Sequence, residues 1–144
     1  MDKEPGKFNV AAGAVIVNNK QKVLLTQRSF ERDHHPGEWE ITTGRLNQNE
    51  SFEQAIQREV KEELNIEIVI VSPIQTFHFF RGTEKIEHVG VTFICKYKEG
   101  EIKVDGIEET DYKWLDFDEA INISRDESIK SALKKTQEYS KNNL

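Results

Sequence analysis

Three glutamates near the middle of the chain have the spacing of ligands on one side of a helix. Glu59, Glu62 and Glu63 lie within the run REVKEEL. At about 100° per residue, Glu63 lies roughly 40° from Glu59, and Glu62 lies roughly 60° from Glu59 on the other flank. Hard divalent cations take oxygen ligands, and Mg²⁺ binds a few carboxylates together with water and phosphate oxygens. The alternative is an acidic face in solvent, with Arg58 and Lys61 as charge partners.

The flanking residues predict the helix that would position these carboxylates. Ser51 is a suitable N-cap, and Gln54 three residues later completes a capping box. Asn65 follows the last apolar position and tolerates the left-handed conformation that ends many helices. An apolar stripe at every fourth residue faces the core, with Ala55 beside it: Phe52, Ile56, Val60 and Leu64.

The whole segment from Gly44 to Ile66 resembles the Nudix box, G-x5-E-x7-R-E-U-x-E-E-x-G-U, where U is a bulky aliphatic residue. Eight of its nine specified positions match across 23 residues. The late glycine of the box is replaced by Asn65, the other common residue at a left-handed cap. The matching residues are Gly44, Glu50, Arg58, Glu59, Val60, Glu62, Glu63 and Ile66.

The resemblance implies hydrolysis of a nucleoside diphosphate linked to another group, with Mg²⁺ or alternatively Mn²⁺ as cofactor. By position, Glu59, Glu63 and the Gly44 carbonyl would bind metal, and Glu62 would bind metal or act on the attacking water. Arg58 would orient the carboxylates through charge-assisted hydrogen bonds. The cation would neutralise phosphate charge and lower the pKa of a bound water. Glu50 is assigned a supporting structural role.

Two further site residues are expected outside the box. Arg28 ends an apolar strand, where its guanidinium could reach a substrate phosphate. Many Nudix proteins also take a carboxylate from a later loop as metal ligand or general base. Glu108, six residues before Trp114, is the candidate, and Glu109 is the alternative.

Composition limits the classes of partner. The net charge of -6 argues against binding to a long nucleic acid, although a bound metal would still permit a small nucleotide. The single Cys95 lies in an apolar run, is expected in the core, and permits no internal disulfide. That cysteine use indicates a reducing cytoplasm. We expect no membrane segment, because no apolar run approaches about 20 residues, and no signal peptide at the N-terminus.

The order of elements predicts an α/β fold in one domain over residues 1–144. An expected hairpin (8–17 and 22–28), a polar loop (29–38) and a short strand (39–43) precede the helix. A long hairpin (67–80 and 85–98), a short edge strand (102–104), a strand (112–115) and two helices follow. Asp116 and Glu119 would cap the first of these helices, and Asp126 or Ser124 the second, near 127–141. The resemblance implies an α/β/α sandwich with a mixed β-sheet.

Substrate identity is left open by the sequence. His34 and His35 lie in a loop, and His78 and His88 are predicted to face each other across the long hairpin. Substrate contact is open for all four. Phe30, Phe77, Phe79 and Phe80 are candidates for stacking on a base, with core packing as the alternative. Dimers occur in the Nudix family, so a homodimer is also open.

Two rival functions remain. One is a Nudix-fold module that binds a nucleotide without cleaving it, although such proteins typically lose box carboxylates. The other is an isoprenoid diphosphate isomerase, which shares the fold. The loop histidines and Trp39 are similar to features of that enzyme, but Cys95 lies within a strand and the chain is short.

Overall fold

A computed structural model describes residues 4–143. Seven strands and three helices lie within that range. The strands are β1 (Asn9–Val17), β2 (Val23–Arg28), β3 (Trp39–Glu40), β4 (Thr42–Arg45), β5 (Glu67–Arg81), β6 (Ile86–Glu99) and β7 (Glu109–Leu115). The helices are α1 (Phe52–Leu64), α2 (Phe117–Ile123) and α3 (Glu127–Asn143).

The seven strands form one mixed sheet. Its main path runs β3-β2-β1-β6-β5, with β4 paired to β1 and β7 paired to β2. The central pair, β1 and β6, is parallel, and the other pairs are antiparallel. This arrangement confirms the predicted mixed sheet, and it places β5 at an edge, where Pro73 is tolerated.

Alternating residues of β1 supply two cores on opposite faces of the sheet. Ala14 and Ile16 pack in the core that contains the buried face of α1. Val15 and Val17 pack in the other core, against α2 and α3. The helices therefore cover both faces, and the molecule is the expected α/β/α sandwich.

Helix α1 has the ends that its sequence predicts. The amide of Gln54 donates to Ser51 Oγ at 3.1 Å, and the amide of Ser51 donates to Gln54 Oε1 at 2.9 Å. At the other end Asn65 is left-handed, with φ 61° and ψ 26°. Both ends are therefore determined by local residues, which fixes where the site's carboxylates project.

Several local predictions were wrong in whole or in part. Residues 102–104 form no strand, although Ile102 and Val104 pack at the margin of the α1 core. Asp116 is the N-cap residue of α2, as predicted, but its side chain makes no capping hydrogen bond and instead binds Lys22 Nζ at 3.0 Å. His88 pairs with Phe79 and not with His78. The predicted strand 39–43 is divided into β3 and β4 around Ile41.

The helix at the end of the chain agrees with its prediction. Asp126 Oδ1 accepts a hydrogen bond from the Ile129 amide at 3.1 Å, so Asp126 is its cap. Ala132, Leu133 and Thr136 are buried. None of the helices in residues 4–143 has the length and apolar character that crossing a bilayer would require.

Candidate active site

Arg58, in the middle of α1, makes hydrogen bonds to several residues around it. Its Nε and Nη2 donate to the two carboxylate oxygens of Glu50 at 2.6 and 2.8 Å, a bidentate pairing. Nη2 also donates to the Arg45 carbonyl at 2.9 Å, and Nη1 donates to Glu59 Oε1 at 2.9 Å. This bonding lowers the pKa of Glu50 to about 2 and raises the pKa of Arg58. Arg58 therefore joins β4 to α1 and fixes the Glu59 carboxylate.

Gly44 is a glycine because Glu59 occupies the space of a side chain. A Cβ at Gly44 would lie 2.0 Å from Glu59 Cγ and 2.7 Å from Glu59 Oε2. The Glu59 carboxylate consequently rests directly against the backbone of β4. The structure brings together the two residues that the box pattern predicted as neighbours at a metal.

Glu63 is a half-buried carboxyl group whose pKa is well above its ordinary value. Burial, then the nearby carboxylates of Glu59, Glu108 and Glu40, raise its pKa to about 8. Several acidic groups thus share a partly buried region without enough positive charge to balance them.

Glu62 does not join this group, contrary to the predicted cluster of three helix carboxylates. Its side chain is 60% exposed and binds Arg58 Nη1 at 3.2 Å. The physical reason is its place on the solvent flank of α1, where Arg58 attracts it away from the cleft. Its role as metal ligand or base stays a prediction.

Glu109, the alternative to Glu108, is the more deeply placed of the two loop carboxylates. Burial, then the adjacent Glu40 carboxyl, raise the pKa of Glu109 to about 10. Its Oε2 is buried and has no hydrogen-bond partner among residues 4–143. Glu108 is exposed at the rim but still acts electrostatically on Glu63.

Arg28 contacts protein groups and not open solvent. Its Nη1 donates to Glu40 Oε1 at 3.1 Å, and its Nε donates to the His34 carbonyl at 2.7 Å. The side chain is 9% exposed, and its buried Nη2 has no partner within the described range. A register shift at Arg28, opposite Glu109, directs both side chains to this region. The predicted contact with substrate phosphate stays a prediction.

A cleft of about 550 Å³ lies across strands β4, β1, β6 and β5. Its floor is defined here by Glu59, Glu63 and Gly44, and Arg32 and Arg81 also line it. The opposite end is aromatic, and the loop histidines also reach the cleft. Those lining residues are Phe77, Phe79, Phe80, His34, His35 and His88.

The loop that carries the histidines is held by specific contacts. His35 has a positive φ of 49°, and its Nδ1 lies 2.7 Å from Glu38 Oε2. Partial burial, followed by the charges of His35 and two arginines, lowers the pKa of His34. His78 lies outside the cleft lining and contacts Glu87 at 2.6 Å.

The donor set fits a hard divalent cation, although it is not arranged around one point. Over residues 4–143, no group of three or more His, Cys, Asp or Glu side chains is positioned to hold a metal ion. However, burial and then neighbouring carboxylates raise the pKa values of Glu63 and Glu109, and a bound cation would stabilise their ionised forms. Carboxylate oxygens and the Gly44 carbonyl are also the ligand types that Mg²⁺ prefers.

Several cleft residues were not singled out from the sequence. Glu40 reaches the site because β3 pairs with β2, opposite Thr26. Arg32 lies in the loop after β2, and Arg81 is the last residue of β5, far from it in sequence. The only sequence signal for them was the polar loop at 29–38 and the turn after Phe80, which does not give a direction for any side chain.

Known proteins resemble this chain in both sequence and fold. A model of the NUDIX domain matches residues 7–136. The nucleoside triphosphatase NudI of Escherichia coli O17:K52:H18 is 25% identical over 128 residues, which cover 83% of this chain and 90% of that protein. The isopentenyl-diphosphate Delta-isomerase of Klebsiella pneumoniae subsp. pneumoniae is 27% identical over 113 residues, which cover 76% of this chain and 61% of that enzyme.

Among solved structures, a MutT protein from Methanosarcina mazei Go1 superposes with a TM-score of 0.75. The alignment covers 98% of this chain and all of that one, at 19% identity, and it shows the shared fold. The family match spans most of the chain and includes the Arg58 network and the Gly44–Glu59 contact. The chain therefore belongs to the Nudix family of hydrolases, enzymes that act on pyrophosphate bonds.

Proposed function

We propose that the protein is a metal-dependent hydrolase of a pyrophosphate bond in a nucleoside diphosphate linked to another group. The observation that carries this proposal is the placement of Glu59 and Glu63 on the floor of the cleft. Arginines also line the cleft, and aromatic rings line the far end. Such a cleft offers cation ligands, phosphate partners and an apolar surface within one site.

The proposed cofactor is Mg²⁺ or Mn²⁺. Glu59, Glu63 and the Gly44 carbonyl would hold it, and the contact of Glu59 with Gly44 supports that set. When bound, the cation would supply neutralisation of phosphate charge and make a water more acidic. The protein would supply position: Arg58 holds Glu59, so the carboxylate does not have to be ordered when the substrate arrives.

Glu109 is the proposed group for proton handling. The raised pKa of Glu63 applies to the metal-free cleft, and this carboxylate would be ionised when it binds the cation. Glu109 is more deeply buried and lies beside Glu40. Glu108, the residue favoured by the sequence, would act from the rim through its charge.

Arginines would bind the phosphate groups. Arg28 is already bonded to Glu40, and its one free buried donor atom supports a role at the inner end of the phosphate chain. Arg32 and Arg81 are more exposed and also line the cleft. They can adjust to a substrate, whereas Arg28 is fixed by its partners.

A substrate panel tests this proposal. Purified protein would be incubated with nucleoside triphosphates, nucleotide sugars, ADP-ribose and dinucleoside polyphosphates, with Mg²⁺, with Mn²⁺ and with EDTA. We expect release of phosphate or pyrophosphate, or cleavage to a mononucleotide, only when the metal is present. Binding without turnover across the panel would favour the nucleotide-binding module instead.

The isomerase alternative is tested by the same panel extended to isopentenyl diphosphate. The similarity to the Klebsiella enzyme is the observation in its favour. Against it, Cys95 is fully buried, its pKa is raised to about 12 by burial, and it is not part of the cleft lining. This thiol is therefore poorly placed to take part in proton transfer on a substrate.

A further inference from the structure

One row of residues crosses four strands from the carboxylate end of the cleft to its aromatic end. Ala11 of β1 pairs with Arg45 on one side and with Gly90 of β6 on the other. Gly90 in turn pairs with Phe77 of β5. Three strand spacings of about 4.8 Å place Phe77 roughly 14 Å from Arg45 across the sheet.

The Phe77 ring packs directly against Gly90, where a side chain would otherwise lie. A Cβ at Gly90 would lie 2.3 Å from Phe77 Cζ, so the ring lies flat against the backbone of β6. Phe79 is two residues further on the same face of β5. Its ring centroid is 6.0 Å from that of Phe77, with the two planes inclined by 33°. The two rings form a shallow aromatic surface at that end of the cleft.

The imidazole of His88 packs against one face of the Phe79 ring. The two rings are stacked, with centroids 4.8 Å apart and planes inclined by 13°. His88 Nδ1 lies 3.0 Å from the Ile86 carbonyl, which can only accept, so Nδ1 carries the proton. Nε2 then accepts from Asn9 Nδ2 at 3.3 Å. His88 is buried, whereas Phe79 is 37% exposed and presents the free face of the stack to the cleft.

We propose that Phe79, supported by His88 and flanked by Phe77, is the surface on which the base of a nucleotide substrate stacks. This inference rests on the proposed function and adds the part of the substrate that lies away from the carboxylates. A ring held parallel by the His88 imidazole offers a flat face, which suits a planar aromatic base. Stacking of this kind tolerates different bases, because every base has a π-face.

The distance between the carboxylate end and the aromatic end of the cleft also limits the length of the phosphate chain in the substrate. A base on Phe79 and phosphates near Gly44 are separated by several strands, so a ribose and more than one phosphate must lie between them. Arg28, Arg32 and Arg81 line the same cleft and offer partners for such phosphates. A free phosphate or a nucleoside monophosphate would not reach both ends.

The test compares binding of two ligands in the presence of Mg²⁺ by isothermal titration calorimetry. One ligand is a nucleoside triphosphate in which a methylene bridge between the α- and β-phosphates prevents hydrolysis there. Both the adenosine and the cytidine analogue are measured. The other ligand is inorganic tripolyphosphate, which has no base. The variants are Phe79→Leu, which removes the ring, Phe79→Tyr, which retains it, and Phe30→Leu as control. Phe30 is 72% exposed and lies outside the cleft lining.

We expect Phe79→Leu to bind the nucleotide at least about tenfold more weakly than the wild type. Its affinity for tripolyphosphate should stay unchanged, and Phe79→Tyr and Phe30→Leu should resemble the wild type for both ligands. Equal affinity of Phe79→Leu and wild type for the nucleotide would overturn the proposal. So would an equal loss of affinity for both ligands.

Activity of the wild type is scored separately. If it hydrolyses the panel substrates but nucleotide binding does not depend on Phe79, the stacking surface is wrong and the proposed function stands. If Phe79-dependent binding occurs without any hydrolysis, the stacking surface stands and the proposed function is wrong. A wild type that binds no nucleotide would overturn both.

Discussion

At the scale of single residues, the site depends on how two charges are held. Arg58 is surrounded by the oxygens of Glu50, Glu59 and the Arg45 carbonyl. Glu63, one helical turn beyond Glu59, lies among carboxylates with no nearby cation bonded to it in residues 4–143. Arg58 therefore positions the carboxylate of Glu59 on the floor of the cleft. Glu63 adds a carboxylate that no neighbouring positive charge within those residues balances.

Replacing Glu63 tests the carboxylate itself. Glu63→Gln keeps the shape but cannot carry charge, so we expect the metal-dependent rate to fall by at least about 100-fold. Circular dichroism should show that the fold persists, because the amide resembles the protonated acid. Glu62→Gln is the matched control on the solvent flank and should have a smaller effect. Nearly full activity in Glu63→Gln would show that the metal assignment is wrong.

Replacing Arg58 tests geometry at constant charge. Arg58→Lys retains one positive charge but loses the bidentate pairing with Glu50 and the bridge to the Arg45 carbonyl. We expect turnover to fall about 10- to 100-fold, as for other residues that orient ligands. The Mg²⁺ concentration for half-maximal activity should rise in parallel. A variant with a changed rate and an unchanged Mg²⁺ requirement would argue against a role in orienting the ligands.

Residues close in sequence could be predicted to meet, whereas those joined by long-range pairing could not. The box segment places Arg58, Glu59 and Glu63 close together, as its local spacing predicts. Glu40 and Glu109 enter the same region only because β3 and β7 both pair with β2. No residue next to Glu40 or Glu109 in the sequence specifies that pairing. The sequence alone therefore favours Glu108, with Glu109 as the alternative. The direction of Glu62 likewise depends on the Arg58 network and not on helical spacing alone.

Among the secondary-structure elements, the ends of α1 follow from local residues, whereas the register of the long hairpin does not. The helix begins and ends where its cap residues predict. In the hairpin, the turn lies at 82–85, where Gly82 and Lys85 both take positive φ. That is one residue later than predicted. The observed register pairs Phe79 with His88 and His78 with Val89, so the two histidines lie on opposite faces of the hairpin.

The C-cap of α1 gives a prediction about one element. Asn65→Gly should leave activity nearly unchanged, since glycine accepts the same left-handed conformation. Asn65→Ala is the matched variant, and its Cβ should destabilise the protein by about 1 kcal/mol relative to Asn65→Gly. Urea denaturation measures both. A large loss of activity in Asn65→Gly would mean that Asn65 has a role besides the cap.

At the scale of the whole molecule, the acidic floor links stability to pH and to metal. The pKa of Glu63 is about 8 in the folded state and near its ordinary value of 4.5 when the chain unfolds. A raised folded pKa contributes stability below the unfolded value, and this contribution is lost as pH rises through the folded value. Glu109, whose pKa is about 10, acts in the same direction over a wider range.

We therefore expect the metal-free protein to lose stability as pH rises from about 4.5 to 8. Thermal unfolding with EDTA at a series of pH values measures this trend. Glu63→Gln should show a flatter dependence over the same window. Mg²⁺ at pH 8 should raise the Tm of the wild type more than that of the variant. A wild-type Tm that rises with pH over this range, or an equal Mg²⁺ effect in both proteins, would contradict the linkage.

Cys95 has a consequence for how the opening of the sheet can be followed. Its thiol lies in β6, between the neighbouring strands β1 and β5, and is fully buried. An alkylating reagent should therefore modify only those molecules in which the centre of the sheet is exposed, and each modified molecule gains one adduct. Mass spectrometry of the adduct at increasing denaturant would count opened chains directly, without an introduced label. If all of residues 1–144 fold as one unit, that count should coincide with the change in tryptophan fluorescence.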